Sequence, residues 1–243
     1  MDDKKIEKLA WVWSKNKNNI RTVFEEVIKD SNYSSTRSAA AVFMAGSPGA
    51  GKTEIAKELM QGFNPKPVRI DADDLRNYFL GYNGKNAHLF QQAATTMVQK
   101  LLDRIFDINR NKLNLSFILD GTFSYAKTRD NVKRALKHGY SVDVYYVYQK
   151  PELAWQFTKA REQKEGRKVP LDVFAHAFVQ ARNNVIEAKN TYGDAISVSI
   201  IIKDNDAKDS SVYVDVTSEE IAKILNLNYT EDEIKALIAR IKT

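Results

Sequence analysis

Gly46-Ser47-Pro48-Gly49-Ala50-Gly51-Lys52-Thr53 fits the pattern G-x-x-x-x-G-K-[ST]. In such a loop the glycines let successive backbone N–H groups point at phosphate oxygens. The N-terminus of the following helix adds favourable potential, Lys52 reaches the outer phosphates, and the Thr53 hydroxyl can ligate Mg²⁺. The whole stretch is therefore a candidate nucleoside triphosphate site. Two further polar segments, Asp71-Ala72-Asp73-Asp74 and Asp120-Gly121-Thr122, each follow a short apolar run. A carboxylate there can hold Mg²⁺, directly or through water, or accept a proton from an attacking hydroxyl. Asp73 and Asp120 are the candidates; helix capping by Asp71, Asp73 or Asp74, and a turn at Asp120, are the structural alternatives. Arg161 and Arg167 could neutralise charge on a transferring phosphoryl group. The charged residues around them, Lys159, Glu162, Lys164, Glu165 and Lys168, leave solvated helix and loop charge as the other reading.

The elements that must position these groups are visible in the hydrophobic pattern. Residues 4–30 carry apolar residues at mixed three- and four-residue spacings, giving one or two amphipathic helices, and 31–38 form a polar connector. Ala39–Ala45 reads as a buried strand running into the glycine-rich loop, and Glu54–Gln61 as the helix leaving it. Pro65–Ile70, Leu115–Leu119 and Val142–Tyr148 read as further strands, with helices at about 86–110 and 127–138 between them. Residues 151–190 read as helices broken at Glu165–Pro170, a charged loop long enough to cover a site. Ile196–Lys203 and Val212–Val216 make an edge hairpin around a polar turn at 204–211. Helices at 218–226 and 230–242 follow, each opened by a capping signal, Thr217-Ser218-Glu219-Glu220 and Thr230-Glu231-Asp232-Glu233. The alternation predicts a three-layer α/β/α fold with a mainly parallel sheet. In such a sheet ligands bind beyond the carboxyl ends of the strands, where all three polar segments fall.

Composition narrows the classes. The 243 residues suit one domain with modest additions, and 43% hydrophobic content allows a substantial core. A formal charge of +6 favours phosphorylated ligands, yet no concentrated basic tract or aromatic and basic stripe calls for nucleic acid. The absence of cysteine removes disulfides, thiolate metal sites and cysteine nucleophiles, and fits a cytoplasmic protein. No apolar run approaches the roughly twenty residues that cross a bilayer, so no membrane partner is expected. His88, His138 and His176 are too scattered for a metal site, and the tyrosines of Val144–Tyr148 read as a buried strand rather than a base-stacking surface. Asn-Lys-x-Asp, which would read guanine, is missing, and Tyr148-Gln149-Lys150-Pro151 does not replace it.

The order Gly-Ser-Pro-Gly-Ala-Gly-Lys-Thr, Arg69-Ile70-Asp71-Ala72-Asp73, Leu119-Asp120-Gly121-Thr122, then Arg161 and Arg167, resembles the zeta-toxin group of P-loop kinases over roughly residues 38–205. The resemblance implies an ATP- and Mg²⁺-dependent kinase acting on a sugar hydroxyl of UDP-N-acetylglucosamine, a toxin held inactive by a small antitoxin protein. It also implies roles: Asp73 as catalytic base, Lys52 and Thr53 at ATP and Mg²⁺, Arg161 and Arg167 as charge-stabilising arginines, and Asp120 and Thr122 toward the sugar or the metal. The expected organisation is a helical extension at 1–35, the kinase core at 36–216 and packed C-terminal helices at 217–243.

The chain departs from that family on the acceptor side. Asp120 stands where Glu is frequent, one methylene shorter, which favours a water-mediated contact. Ser124 replaces a basic residue, and Gln99 occupies the region where another carboxylate is expected. Two alternatives therefore stay open: a P-loop kinase for another acceptor (an antibiotic, NAD, a nucleoside or a polynucleotide end), and a non-catalytic ATP-binding regulator.

Overall fold

The computed structural model describes residues 2–29, 31, 39–110, 115–203, 210–226 and 228–241. Most of the expected connector at 31–38 and turn at 204–211 lies outside these residues. Helices α1 (Asp3–Lys15) and α2 (Lys17–Val27) meet at Asn16, whose side chain accepts hydrogen bonds from the N–H groups of Asn18 and Asn19 to start the second helix. Then come β1 (Ala40–Ala45), α3 (Lys52–Gly62), β2 (Val68–Asp71), the single turn α4 (Ala72–Leu75), α5 (Gln91–Arg110), β3 (Phe117–Asp120), α6 (Ala126–Lys137) and β4 (Ser141–Tyr148). The chain continues through α7 (Pro151–Glu165), α8 (Leu171–Tyr192), β5 (Ile196–Ile202), β6 (Ser211–Tyr213), α9 (Ser218–Ile224) and α10 (Glu231–Ala239).

The strand order is β2-β3-β1-β4-β5-β6; the first five run parallel and β6 pairs antiparallel with β5. Period-2 alternation assigns the faces. Ala41, Phe43 and Ala45 of β1 point into the larger core with Leu101 and Ile105 of α5 and Val185 of α8. Val42 and Met44 point the other way, onto Ile55 and Ala56 of α3. This is the expected three-layer fold, and among the described helices none is long and apolar enough to cross a membrane.

Ile20, Val23 and Phe24 of α2 join the larger core, and Trp13 of α1 meets Phe79 edge-on at 5.3 Å. The N-terminal helices pack along α5 and β2. Both C-terminal helices carry reciprocal capping boxes, Thr217 with Glu220 and Thr230 with Glu233, as their sequences signal.

Three boundaries differ from expectation. β2 begins at Val68, because Pro65 and Pro67 offer no N–H; Val68 is the residue that donates, to the Ser116 carbonyl at 2.9 Å. The helix expected from residue 86 opens as a tighter turn over Ala87–Phe90 and becomes α-helical at Gln91. β6 stops at Tyr213 instead of Val216, since Asp215 takes a left-handed φ of 51° that ends the extended backbone.

Candidate functional site

The phosphate-binding loop leaves β1 at Ala45 and enters α3 at Lys52. Gly49 and Gly51 hold φ values of 74° and 88°, a region L side chains seldom adopt. Gly51 is the N-cap of α3 and supplies no side-chain cap, so the N–H groups of the first turn keep their donor capacity for a ligand. The Lys52 ammonium donates to the Ser47 carbonyl at 2.6 Å. Burial pushes the Lys52 pKa down to about 8; Arg167 and Arg161 lower it further, while Asp120 and Asp71 act in the opposite sense. A phosphate on the loop would restore the charge that burial disfavours.

Gly49 also lies so close to α7 that a Cβ there would collide with the Ala154 carbonyl and come 2.7 Å from Thr158 Oγ1. Gly49→Ala should therefore cost at least about 1–2 kcal/mol through backbone strain alone. Calorimetry should show a melting temperature lower by several degrees; an unchanged melting temperature would show that loop and helix are less tightly packed than described.

Asp71 and Asp120 end the neighbouring strands β2 and β3 in direct register. Arg69 lies between them, with a guanidinium nitrogen 2.5 Å from Asp71 and 2.9 Å from Asp120, and reaches Asp74 at 2.6 Å. The Asp71 side chain also accepts the Asp73 N–H at 2.8 Å, capping α4. Burial, followed by the charge of Asp120, pushes the Asp71 carboxyl up to about 7 against the pull of Arg69.

Asp73, two residues further on, points into a cluster of arginines. One carboxylate oxygen pairs with Arg76; the other pairs with Arg167 and has Arg161 at 3.7 Å. Arg76 is buried and also donates to Gln91 of α5, leaving its Nε without a hydrogen-bond partner among the described residues. Arg167 sits in the loop after α7, which ends at Gly166 with φ 75°. The Glu165–Gly166 turn packs on a second glycine turn at Gly84-Lys85: a Cβ on Gly84 would lie 2.5 Å from the Glu165 carbonyl, and one on Gly166 2.8 Å from Lys85 Cγ. The 79–86 loop thus braces the loop that carries Arg167.

The β3–α6 connection forms the third wall. Thr122 accepts the Gly46 N–H through its carbonyl at 3.1 Å, and its hydroxyl lies 2.7 Å from the buried Ser124 hydroxyl. Between them Phe123 is buried at φ 61°, a strained conformation for an aromatic residue, and Asn184 of α8 donates to its carbonyl at 2.9 Å. Ser124 thus holds the Thr122 hydroxyl by a hydrogen bond.

The structure brings Asp73, Arg161 and Arg167 together, puts Asp120 beside Asp71, and ties Thr122 to the start of the phosphate-binding loop. Gln99 has a buried side-chain oxygen with no hydrogen-bond partner among the described residues. Arg69 and Arg76 were missed by the sequence reading. Arg76 had a signal, since it stands three residues after Asp73, the spacing that lets side chains meet along a helical turn. Arg69 had a weaker one: a lone charge inside an otherwise apolar strand.

The donor set suits Mg²⁺. Among the described residues no group of three or more His, Cys, Asp or Glu side chains could form a cage for a metal. Mg²⁺ needs less, being bound by one or two protein oxygens with waters and substrate phosphates. Thr53 on α3 and the paired carboxylates Asp71 and Asp120 offer such oxygens.

Comparison with known proteins agrees with this geometry. A structure from the PezAT chromosomal toxin–antitoxin system of Streptococcus pneumoniae is similar with a TM-score of 0.64 and 18% identity, covering 92% of each chain. A complex of AvrRxo1-ORF1 and ORF2 with ATP is similar with a TM-score of 0.63 and 14% identity, covering 93% of this chain and 72% of that one. At these identities the likeness concerns the fold. No curated protein matches in sequence. The Zeta toxin family model matches residues 25–216, a span that holds the phosphate-binding loop, both strand-end carboxylates and the arginine cluster, and the chain belongs to that family.

Proposed function

We propose that the protein is an ATP- and Mg²⁺-dependent kinase that transfers the γ-phosphate to a hydroxyl of a nucleotide sugar such as UDP-N-acetylglucosamine, and that it is the toxin of a bacterial toxin–antitoxin pair. The observation that carries this reading is the Asp73 cluster: a carboxylate presented to three guanidiniums, two of which act electrostatically on Lys52 of the phosphate-binding loop. A protein that only stored nucleotide would have no need of that arrangement. The acceptor and the antitoxin rest on the family and on the toxin–antitoxin setting of its structural neighbour.

In this mechanism the loop amides and Lys52 hold the β- and γ-phosphates, and Thr53 with Asp120 would hold Mg²⁺. The metal supplies charge neutralisation on the phosphates. Asp73 takes the proton of the acceptor hydroxyl. In the free protein both of its oxygens are engaged, so one must be released first. Arg167 and Arg161 are the movable partners, because the γ-phosphate competes for them and charge-assisted contacts to phosphate are strong. Arg76 is buried and anchored on Gln91, and stays behind to orient the carboxylate. The same transfer of arginines that frees the base places positive charge on the phosphoryl oxygens.

If the Gly84 turn braces the Arg167 loop, Gly84→Ala should lower kcat several-fold with ATP affinity nearly unchanged, because the turn touches the arginine loop and not the phosphate loop. Steady-state kinetics beside equilibrium binding check this; equal loss of both would place the effect elsewhere. The activity itself is tested by incubating the protein with ATP, Mg²⁺ and a panel of UDP-N-acetylglucosamine, NAD, nucleosides and oligonucleotide ends. A gain of one phosphoryl group on the nucleotide sugar is expected. Turnover of another panel member would reassign the acceptor, and ATP binding without any turnover would favour the regulator.

A further inference from the structure

Beyond the residues assigned above, one cation at the loop has no role. Lys203 is the residue immediately after β5, held there by its N–H, which donates to the Tyr148 carbonyl at the end of β4 at 2.9 Å. Its side chain runs along Gly51: a Cβ on that glycine would lie 2.5 Å from the Lys203 ammonium and 3.1 Å and 3.3 Å from the two carbons behind it. Among the described residues no carboxylate pairs with this ammonium. The ammonium of Lys52, the lysine of the loop itself, donates to the Ser47 carbonyl. A lysine ammonium beside an anion-binding loop, with no carboxylate paired to it among the described residues, leaves positive charge that an anionic ligand would satisfy.

Strand order says which part of the ligand Lys203 faces. The phosphate-binding loop follows β1; the acidic strand ends of β2 and β3 lie to one side of it and β4 and β5 to the other. Asp73, where the phosphoryl group is transferred, follows β2, and Arg161 and Arg167 of α7 and the loop after it reach across to it. A triphosphate laid over the loop with its γ-phosphate toward Asp73 directs its inner phosphates and nucleoside toward β5. We propose that Lys203 is a donor-binding residue that grips the inner phosphates of the nucleotide.

This inference rests on the ATP-dependent reading of the site. It predicts that ATP and ADP are affected alike, since both carry the inner phosphates, and that ground state and transition state are affected alike, so KM for ATP rises while kcat holds. The test is titration calorimetry of ATP and of ADP with full-length wild type, Lys203→Met and Lys203→Arg, with melting temperatures measured alongside. Lys203→Met keeps the aliphatic stem over Gly51 and removes only the charge. The expected result is affinity for both nucleotides lower by roughly tenfold or more, as for loss of a charge-assisted hydrogen bond, at unchanged melting temperature, with Lys203→Arg close to wild type. Lys203→Met binding both nucleotides within twofold of wild type would overturn the inference and leave the kinase reading standing. Wild type binding neither nucleotide would overturn both.

Discussion

Asp73→Asn is expected to bind ATP as well as wild type and to lose phosphoryl transfer by a factor on the order of 10²–10⁴, the range for removal of a positioned general base. The amide keeps the shape of the carboxylate and one accepting oxygen, so the surrounding side chains have no steric reason to move. What disappears is the charge facing Arg76, Arg161 and Arg167 and the capacity to take a proton. With less negative charge to hold them, Arg161 and Arg167 are more available to phosphate, which is why ATP affinity should not fall. Arg76 is buried and keeps Gln91, but it loses its ionic partner, so some loss of thermal stability should accompany the loss of turnover. Calorimetric titration beside steady-state assays separates the two effects. Full activity in Asp73→Asn would make Asp73 a structural ion-pair residue.

The second large effect is expected at Lys52. Lys52→Ala should weaken ATP binding by roughly ten- to a hundredfold, the worth of a charge-assisted hydrogen bond to phosphate. Turnover should fall further, because charge on the outer phosphates grows during transfer. The fold should not suffer. The ammonium is held by the Ser47 carbonyl alone, and its lowered pKa means that burial opposes its charge, so removing it breaks no ion pair. A melting temperature equal to or above that of wild type is the expected accompaniment; a large drop would show that the lysine is a structural element of the loop.

The donor half of the site was readable from sequence because its chemistry is local. Gly46 to Thr53 encode strand, turn and helix in one continuous stretch, and the left-handed glycines, uncapped helix start and inward lysine all follow from residue type. Strand ends were readable for a related reason: an apolar run that stops at Asp71 or Asp120 marks both the strand and the crevice. The structural alternative proved right for one of these residues, since Asp71 caps α4 by accepting the Asp73 N–H.

What sequence did not show depends on packing between distant segments. That Arg167 reaches Asp73 across the chain requires the Gly84 and Gly166 turns to lie against each other. That Ser124 supports Thr122 depends on the strained backbone at Phe123, held by Asn184 from α8. Arg69 joins Asp71 to Asp120 only because β2 and β3, separated in sequence by α4 and α5, are neighbours in the sheet. Ends of β2 and β6 were misjudged where a single residue, Pro67 or Asp215, decides whether the ladder can continue.

The central claim, that Asp73 and the phosphate-binding loop together form a phosphotransferase site, is tested most directly by following the label from γ-labelled ATP. Wild-type protein, Mg²⁺ and UDP-N-acetylglucosamine should yield labelled nucleotide sugar, with the Asp73→Asn protein binding ATP but forming that product at least about a hundredfold more slowly. Wild-type label that reaches no acceptor of the panel, or that reaches the sugar equally fast without the Asp73 carboxylate, would contradict the account.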